Sequence, residues 1–168
     1  MNIKGKYLMK SENGAGIITY LDNRDKSIEG LDSKILYLVL VDYKNEYDFP
    51  KGSFSHGQDK TSFDCAKRET YEEINLQYED FENINIDSFT HKSKEKSLTM
   101  FLGKIKKNSL ANLKIKRNEE TGDLEHSRFY WLPYEEIIKN NIRNKKNAIK
   151  LKDYLVSSLN WANDKINF

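Results

Sequence analysis

Five segments rich in β-branched and aromatic residues, set around three of helical period, limit what this chain can fold into. Residues 14–21 (GAGIITYL) and 34–42 (KILYLVLVD) read as strands, and residues 84–90, 97–105 and 127–132 read as three more. Residues 22–33, with turn clusters and mixed charges, form the loop between the first two. Residues 62–75 read as a helix, because Ser62 can cap it and Phe63, Ala66, Thr70 and Ile74 recur at spacings of three and four. Pro133 is placed to begin a second helix, PYEEIIKN, where its missing N–H is harmless. A third helix, residues 144–163, gathers Ala148, Leu151, Leu155, Leu159 and Ala162 on one side. Residues 107–124 read as a polar connector. Strands in pairs with helices between and after them predict an α/β fold, a mixed sheet covered by helices, and not a regular βαβ succession.

At 168 residues the chain is expected to form one domain, residues 1–168. Aromatic residues make up 12%, which argues against disorder, since disordered chains are poor in them. Lys and Arg exceed Asp and Glu by only 28 − 26 = 2, so the molecule as a whole is no polyanion-binding cation and no DNA partner is indicated. Charge is uneven, however. Residues 64–82 carry seven acids against two bases, and residues 139–168 carry seven bases against two acids, so an acidic and a basic surface can coexist. The single Cys65 excludes an internal disulfide and a multi-cysteine metal cluster; its place one turn before Glu69 suits packing better than nucleophilic chemistry. No apolar run approaches the roughly 18 residues of a membrane span, and residues 1–10 lack the apolar core of a signal peptide. The expectation is a soluble cytoplasmic protein with no membrane partner.

The informative run is Arg68-Glu69-Thr70-Tyr71-Glu72-Glu73. On a helix Glu69, Glu72 and Glu73 stand at i, i+3 and i+4, so three carboxylates converge on one face. Like charges so placed repel unless a cation sits among them. Hard oxygen ligands at that density suit Mg²⁺ or Mn²⁺ rather than zinc, and Arg68 can orient one carboxylate through a paired contact. Upstream, Phe49-Pro50-Lys51-Gly52 is a turn directly after a strand, suited to close approach to phosphate by backbone and by Lys51.

Residues 49–76, FPKGSFSHGQDKTSFDCAKRETYEEINL, resemble the Nudix box, G-x5-E-x7-R-E-U-x-E-E-x-G-U with U a bulky apolar residue. Gly52 matches the opening glycine, and Arg68, Glu69, Glu72, Glu73 and Leu76 match the helical half. The first box glutamate is missing. Counting forward from Gly52 it falls on Gln58, counting back from Arg68 it falls on Lys60, and nine residues separate Gln58 from Arg68 where the pattern has seven. Asp59 is the acid nearest to that position. Thr70 stands at the U site after Glu69. Asn75 replaces the late glycine, a mild change, because Asn tolerates the left-handed conformation of a helix end.

The resemblance implies a Nudix-type α/β/α sandwich and a hydrolase acting on phosphoric anhydride bonds of a nucleoside diphosphate linked to another group. It implies that Glu69, Glu72 and Glu73 bind Mg²⁺ or Mn²⁺, with Arg68 beside them, and that a further acid serves as base or extra ligand. Glu125 is the candidate for that acid, and Glu119 and Glu120 are weaker ones. The stretch from Glu125 and His126 to Trp131 and Leu132 also resembles diadenosine tetraphosphate hydrolases of the family. The PKG turn with DCAKRETYEE resembles its mRNA-decapping enzymes, including those of large DNA viruses. The expected substrate is therefore a 5′-linked nucleoside polyphosphate, with capped RNA placed first and a dinucleoside tetraphosphate second. A diphosphoinositol polyphosphate hydrolase and an inactive nucleotide-binding module are the alternatives. Lys51, Gly52 and Tyr130 are the expected substrate contacts. Lys146 and Lys150, at i and i+4 on the polar side of the third helix, could track an RNA backbone. His56, His91 and His126 have no metal-ligand spacing and read as structural or solvent-facing, with His56 placed to touch phosphate.

Overall fold

The computed structural model describes residues 13–118, 121–143 and 148–167. Seven strands are found among them: β1 (Asn13–Asp22), β2 (Ile35–Asp42), β3 (Tyr47–Asp48), β4 (Lys51–Ser53), β5 (Phe81–Lys92), β6 (Ser97–Ile105) and β7 (His126–Pro133). Three α-helices accompany them: α1 (Ser62–Ile74), α2 (Tyr134–Arg143) and α3 (Asp153–Asn167). The main path through the sheet is β3-β2-β1-β6-β5, with β4 paired to β1 and β7 to β2. Most pairings are antiparallel, but β1 runs parallel to β6 from Asn13 opposite Ser97 to Tyr20 opposite Lys104. The sheet is therefore mixed, as the order of elements predicts.

Its centre is covered on both faces. Leu36, Leu38 and Leu40 of β2 point with Ala15, Ile17 and Leu21 of β1 towards Cys65, Ala66 and Ile74 of α1. The alternate residues Tyr37, Val39 and Val41 join Ile18 and Met100 against Ile137 of α2 and Leu155, Leu159 and Ala162 of α3. The period of two along each strand divides these residues between the two layers, so every apolar side chain in the KILYLVLVD run has a core to enter. The result is a helix–sheet–helix sandwich.

Several boundaries differ from the sequence reading. The cap of α1 is Thr61, not Ser62. Its hydroxyl accepts from the Asp64 amide, and the Asp64 carboxylate accepts from the Thr61 amide, closing a reciprocal capping box. Pro133 ends β7, and α2 starts one residue later. The third helix starts at Asp153 rather than residue 144. Residues 149–151 are extended because Asn140 donates to the Ile149 carbonyl, while Asn141 donates to the Leu151 carbonyl and accepts its amide. The Lys150 carbonyl and Lys152 amide then bond to Tyr47 on β3. Lys150 is consequently not on a helix, and its expected partner Lys146 lies outside the described residues, as do Glu119 and Glu120. The connector is also more than polar: it opens with a 3₁₀ turn, Lys107–Asn112, and packs Leu110, Leu113 and Ile115 on the core below α1.

Candidate active site

The end of α1 and the β4 turn build the site. α1 buries Cys65, Ala66, Thr70 and Ile74, and Thr70 fits an apolar position because its hydroxyl donates to the Ala66 carbonyl at 2.7 Å. Cys65 is fully buried, and burial pushes its thiol up to about 12, which fits packing and not nucleophilic chemistry. Glu69 and Glu73 follow Cys65 by one and two turns on the same side of the helix and are largely buried, while Arg68 and Glu72 flank them at the cleft. Asn75 ends the helix at φ 65°, in the left-handed region, and its amide donates to the Tyr71 carbonyl. Gly52 is required by close approach: a Cβ there would fall on the Glu69 carboxylate.

Arg68 is the hub. Its Nε and Nη2 donate to the two oxygens of Asp59 at 2.9 and 2.8 Å, Nη2 also reaches the Ser53 carbonyl, and Nη1 reaches Glu69 and Glu72, each at 3.1 Å. Asp59, the acid nearest in sequence to the missing box glutamate, thus pairs with Arg68. The longer loop is drawn in by the Ser55 amide, which donates to Asp59, and by the Asp59 amide, which donates to the Ser55 carbonyl. Burial alone would raise the Asp59 pKa, but the Arg68 and Ser55 hydrogen bonds outweigh it and hold the carboxyl below its ordinary range.

The other carboxylates lack such compensation. Burial lifts Glu69 to about 6 against the pull of Arg68, with Glu72 adding repulsion. Glu73 is raised well above the usual range, first by burial and then by Asp48 and Glu69. One of its oxygens accepts the Lys51 amide at 2.9 Å, and the other faces His126 Nδ1 at 3.4 Å. Glu72 is half-exposed at the rim. Glu125 is exposed and accepts from Asn118, and donor atoms of Glu73, Glu125 and His126 lie within 4.8 Å of one another. A cleft of about 550 Å³ collects Ser53, Arg68, the three helix glutamates and Glu125, and Lys116 and Arg117 also line it; the Lys116 amide donates to the Glu73 carbonyl, and its ammonium lies 3.8 Å from the Tyr71 ring. Buried, mutually repelling carboxylates converging on one cleft fit a divalent cation, which would offset the repulsion that now disfavours their charged forms.

Not every candidate reaches this cleft. The Lys51 ammonium turns to Asp48 at 3.2 Å, because its neighbour there is a buried acid, and only its amide serves Glu73. Tyr130 lies off the cleft, edge-on to Tyr47, with its hydroxyl accepting from Arg128. Lys51 and Gly52 instead line a second pocket of about 500 Å³, with His91, Lys96, Leu98 and Tyr154. Ser53 borders both pockets. His126 corrects the sequence reading: it is buried between Asp48 and Glu73, not scattered, and it lines the cleft. Asp48 was missed altogether. No spacing rule links these two, because the fold alone brings them together across 78 positions.

No protein-family model matches the chain, and no curated protein matches it. Solved structures do. A C. elegans Ap4A hydrolase in a binary complex is similar at TM-score 0.62 and 21% identity, over 93% of this chain and 98% of that one. A Nudix hydrolase from M. smegmatis, RenU, is similar at TM-score 0.66 and 10% identity, over 94% and 86%. The NUDIX domain of Shewanella oneidensis NrtR, complexed with ADP ribose, is similar at TM-score 0.60 and 10% identity, over 92% and 87%. At these identities the likeness is one of fold, and it agrees with the mixed sheet between helices. This chain has the Nudix fold.

Proposed function

We propose that the chain is a divalent-metal-dependent pyrophosphohydrolase whose substrate is a 5′-linked nucleoside polyphosphate, with a dinucleoside polyphosphate as the preferred form. The observation that carries the reading is the Arg68 hub, which ties Asp59, Glu69 and Glu72 into one arrangement beside buried Glu73. Glu69, Glu72 and Glu73 would hold Mg²⁺ or Mn²⁺, and Glu125 adds a fourth carboxylate at the mouth. When bound, the cation neutralises the pyrophosphate and lowers the pKa of a water. The protein's own part is positional. Arg68 keeps two carboxylates from rotating away, Gly52 leaves room for Glu69, and Lys116 and Arg117 supply cationic side chains to the cleft lining.

Substrate form is read from the second pocket. It adjoins the acidic cleft at Ser53 and carries aromatic and cationic groups, His91 and Tyr154 with ring centroids 6.4 Å apart and Lys51 5.6 Å from the Tyr154 ring. Such a surface suits a nucleoside whose polyphosphate runs over Ser53 into the cleft. The fold likeness to an Ap4A hydrolase supports the same reading. The capped-RNA reading leaned on a lysine track along a helix, and that helix begins only at Asp153.

The test is kcat/KM for diadenosine tetraphosphate, a cap dinucleotide, capped RNA and ADP-ribose, with Mg²⁺, Mn²⁺ or EDTA. Expected are preference for the dinucleoside substrate, no turnover in EDTA, and a loss of at least roughly 10²-fold in Glu72→Gln. Capped RNA cleaved far better than its dinucleotide would move the assignment to decapping. Full activity in excess EDTA would sink the metal mechanism.

A further inference from the structure

We propose that the ring of Tyr71 is a holding site for the Lys116 ammonium, and that the polyphosphate of a bound substrate draws this ammonium off the ring and into the cleft. The inference rests on the pyrophosphohydrolase reading above and adds to it a positioning residue, Tyr71, that acts on substrate only through Lys116.

The backbone of Lys116 is pinned. Its amide donates to the Glu73 carbonyl at 2.9 Å, and the Lys114 amide donates to the Ile74 carbonyl at 3.2 Å. On either side, Asn75 Nδ2 donates to the Asn112 carbonyl at 3.0 Å and Arg117 Nη1 to the Gly122 carbonyl at 3.1 Å. The connector therefore satisfies two carbonyls at the end of α1 that the helix itself leaves open. The last turn of α1 holds no base of its own, and this contact brings a lysine to the end where positive charge is favoured. With its neighbours fixed, Lys116 moves through its flexible four-carbon stem alone.

That stem has two destinations. Lys116 lines the cleft that holds Glu69, Glu72, Glu73 and Glu125. Among the described residues, however, its ammonium pairs with no carboxylate and lies 3.8 Å from the centroid of the Tyr71 ring. The carboxylates compete poorly for it, because Arg68 already holds Glu69 and Glu72 and the Lys51 amide holds Glu73. Tyr71 stands two residues before Glu73 on α1 and is 41% exposed, so its ring is open to a cation. A cation over an exposed aromatic face is held weakly, by roughly two- to fivefold in an equilibrium constant. A hydrogen bond between charged groups, ammonium to phosphate, is worth roughly ten- to a hundredfold. The ring therefore keeps the ammonium while the cleft is empty and yields it to phosphate. A ligand without negative charge offers the ammonium nothing better than the ring.

Calorimetric binding of a methylene-bridged, hydrolysis-resistant ATP analogue to the full chain at saturating Mg²⁺ tests this without turnover. Lys116→Met should weaken binding roughly ten- to a hundredfold. Tyr71→Leu should tighten it roughly two- to fivefold, because the ammonium gives up no ring contact on moving, and Tyr71→Phe, which keeps the ring, should match wild type. In the Lys116→Met background Tyr71→Leu should change nothing, since the ring acts through the lysine alone. A Tyr71→Leu effect of equal size in both backgrounds, or none in either, overturns the proposal. NMR of lysine-labelled wild type keeps the test independent of variant folding. Shielding by the ring should hold the Lys116 ε-methylene protons upfield in the free chain, and the analogue should return them to the ordinary lysine position. Protons that are unshielded at the start, or still shielded with the analogue bound, overturn it as well. A chain that does not bind the analogue overturns both readings. One whose Lys116 signals move but which cleaves no pyrophosphate supports the holding site and overturns only the functional reading.

Discussion

Glu69 and Asp48 both act on Glu73, yet the fold moves their acidities in opposite directions. Burial raises Glu69 to about 6, and Arg68 does not undo it. Burial also opposes charge on Asp48, but the His126 hydrogen bond and the Lys51 and Lys152 ammoniums prevail and bring it to about 2. The consequences for stability have opposite signs. Folded Glu69 holds its proton more tightly than the unfolded chain does, so stability falls as pH rises from the ordinary 4.5 to about 6. The difference amounts to on the order of 2 kcal/mol. Asp48 contributes stability that is present above its ordinary 3.8 and lost as pH falls towards about 2. Thermal melts in EDTA should therefore show a midpoint that declines from pH 4.5 to 6, a decline that Glu69→Gln flattens and a divalent cation offsets. A midpoint that rises through this window and ignores the substitution contradicts the assignment. At this scale the helix glutamates and Arg68 were legible because their spacing is local, at i, i+3 and i+4. Asp48 and His126 were not, since their meeting depends on how segments 78 positions apart close, whereas Asp59, nine residues before Arg68, was legible only as the nearest acid.

Among the elements, α1 is the one read most closely from sequence: its apolar spacing, its αL end at Asn75 and its acidic face all lie within one segment, and only the cap shifts by a residue. The start of α3 was misread because Ala148 and Leu151 continue the apolar period upstream of Asp153. What overrides periodicity is side-chain capture of backbone. Asn141 exchanges two hydrogen bonds with Leu151, at 2.9 and 3.0 Å, and holds the strand-like segment beside Tyr47. Asn141→Ala should cost about 1–3 kcal/mol, because it leaves a half-buried peptide unit without partners. Denaturant titration measures that loss, and an unchanged midpoint would mean that water replaces Asn141 fully. Residues 113–118 illustrate a different limit. They have no periodic pattern, yet the Lys114 and Lys116 amides donate to the Ile74 and Glu73 carbonyls and build the cationic wall of the cleft.

For the molecule as a whole, the layer arrangement was readable because β2 is apolar on both faces and needs two covers. Strand order was not, since no residue in β1 announces that its parallel neighbour is β6. That pairing, Asn13 with Ser97, spans 84 positions, and β2, β3, β4 and α1 all lie inside the loop it closes. Closing so long a loop carries its entropy cost before the contacts that offset it form, which places such topologies among slower folders. Leu102, buried on β6 beside Ile18 in register, is expected to lie at that bottleneck. In stopped-flow experiments Leu102→Ala should slow folding, whereas Asn141→Ala should mainly speed unfolding. A Leu102→Ala chain altered only in its unfolding limb would place the bottleneck elsewhere. On this ordering the cleft is the late arrival: during synthesis the acidic segment leaves the ribosome before β6, and Lys116, Glu125 and His126, which complete the cleft lining, follow β6.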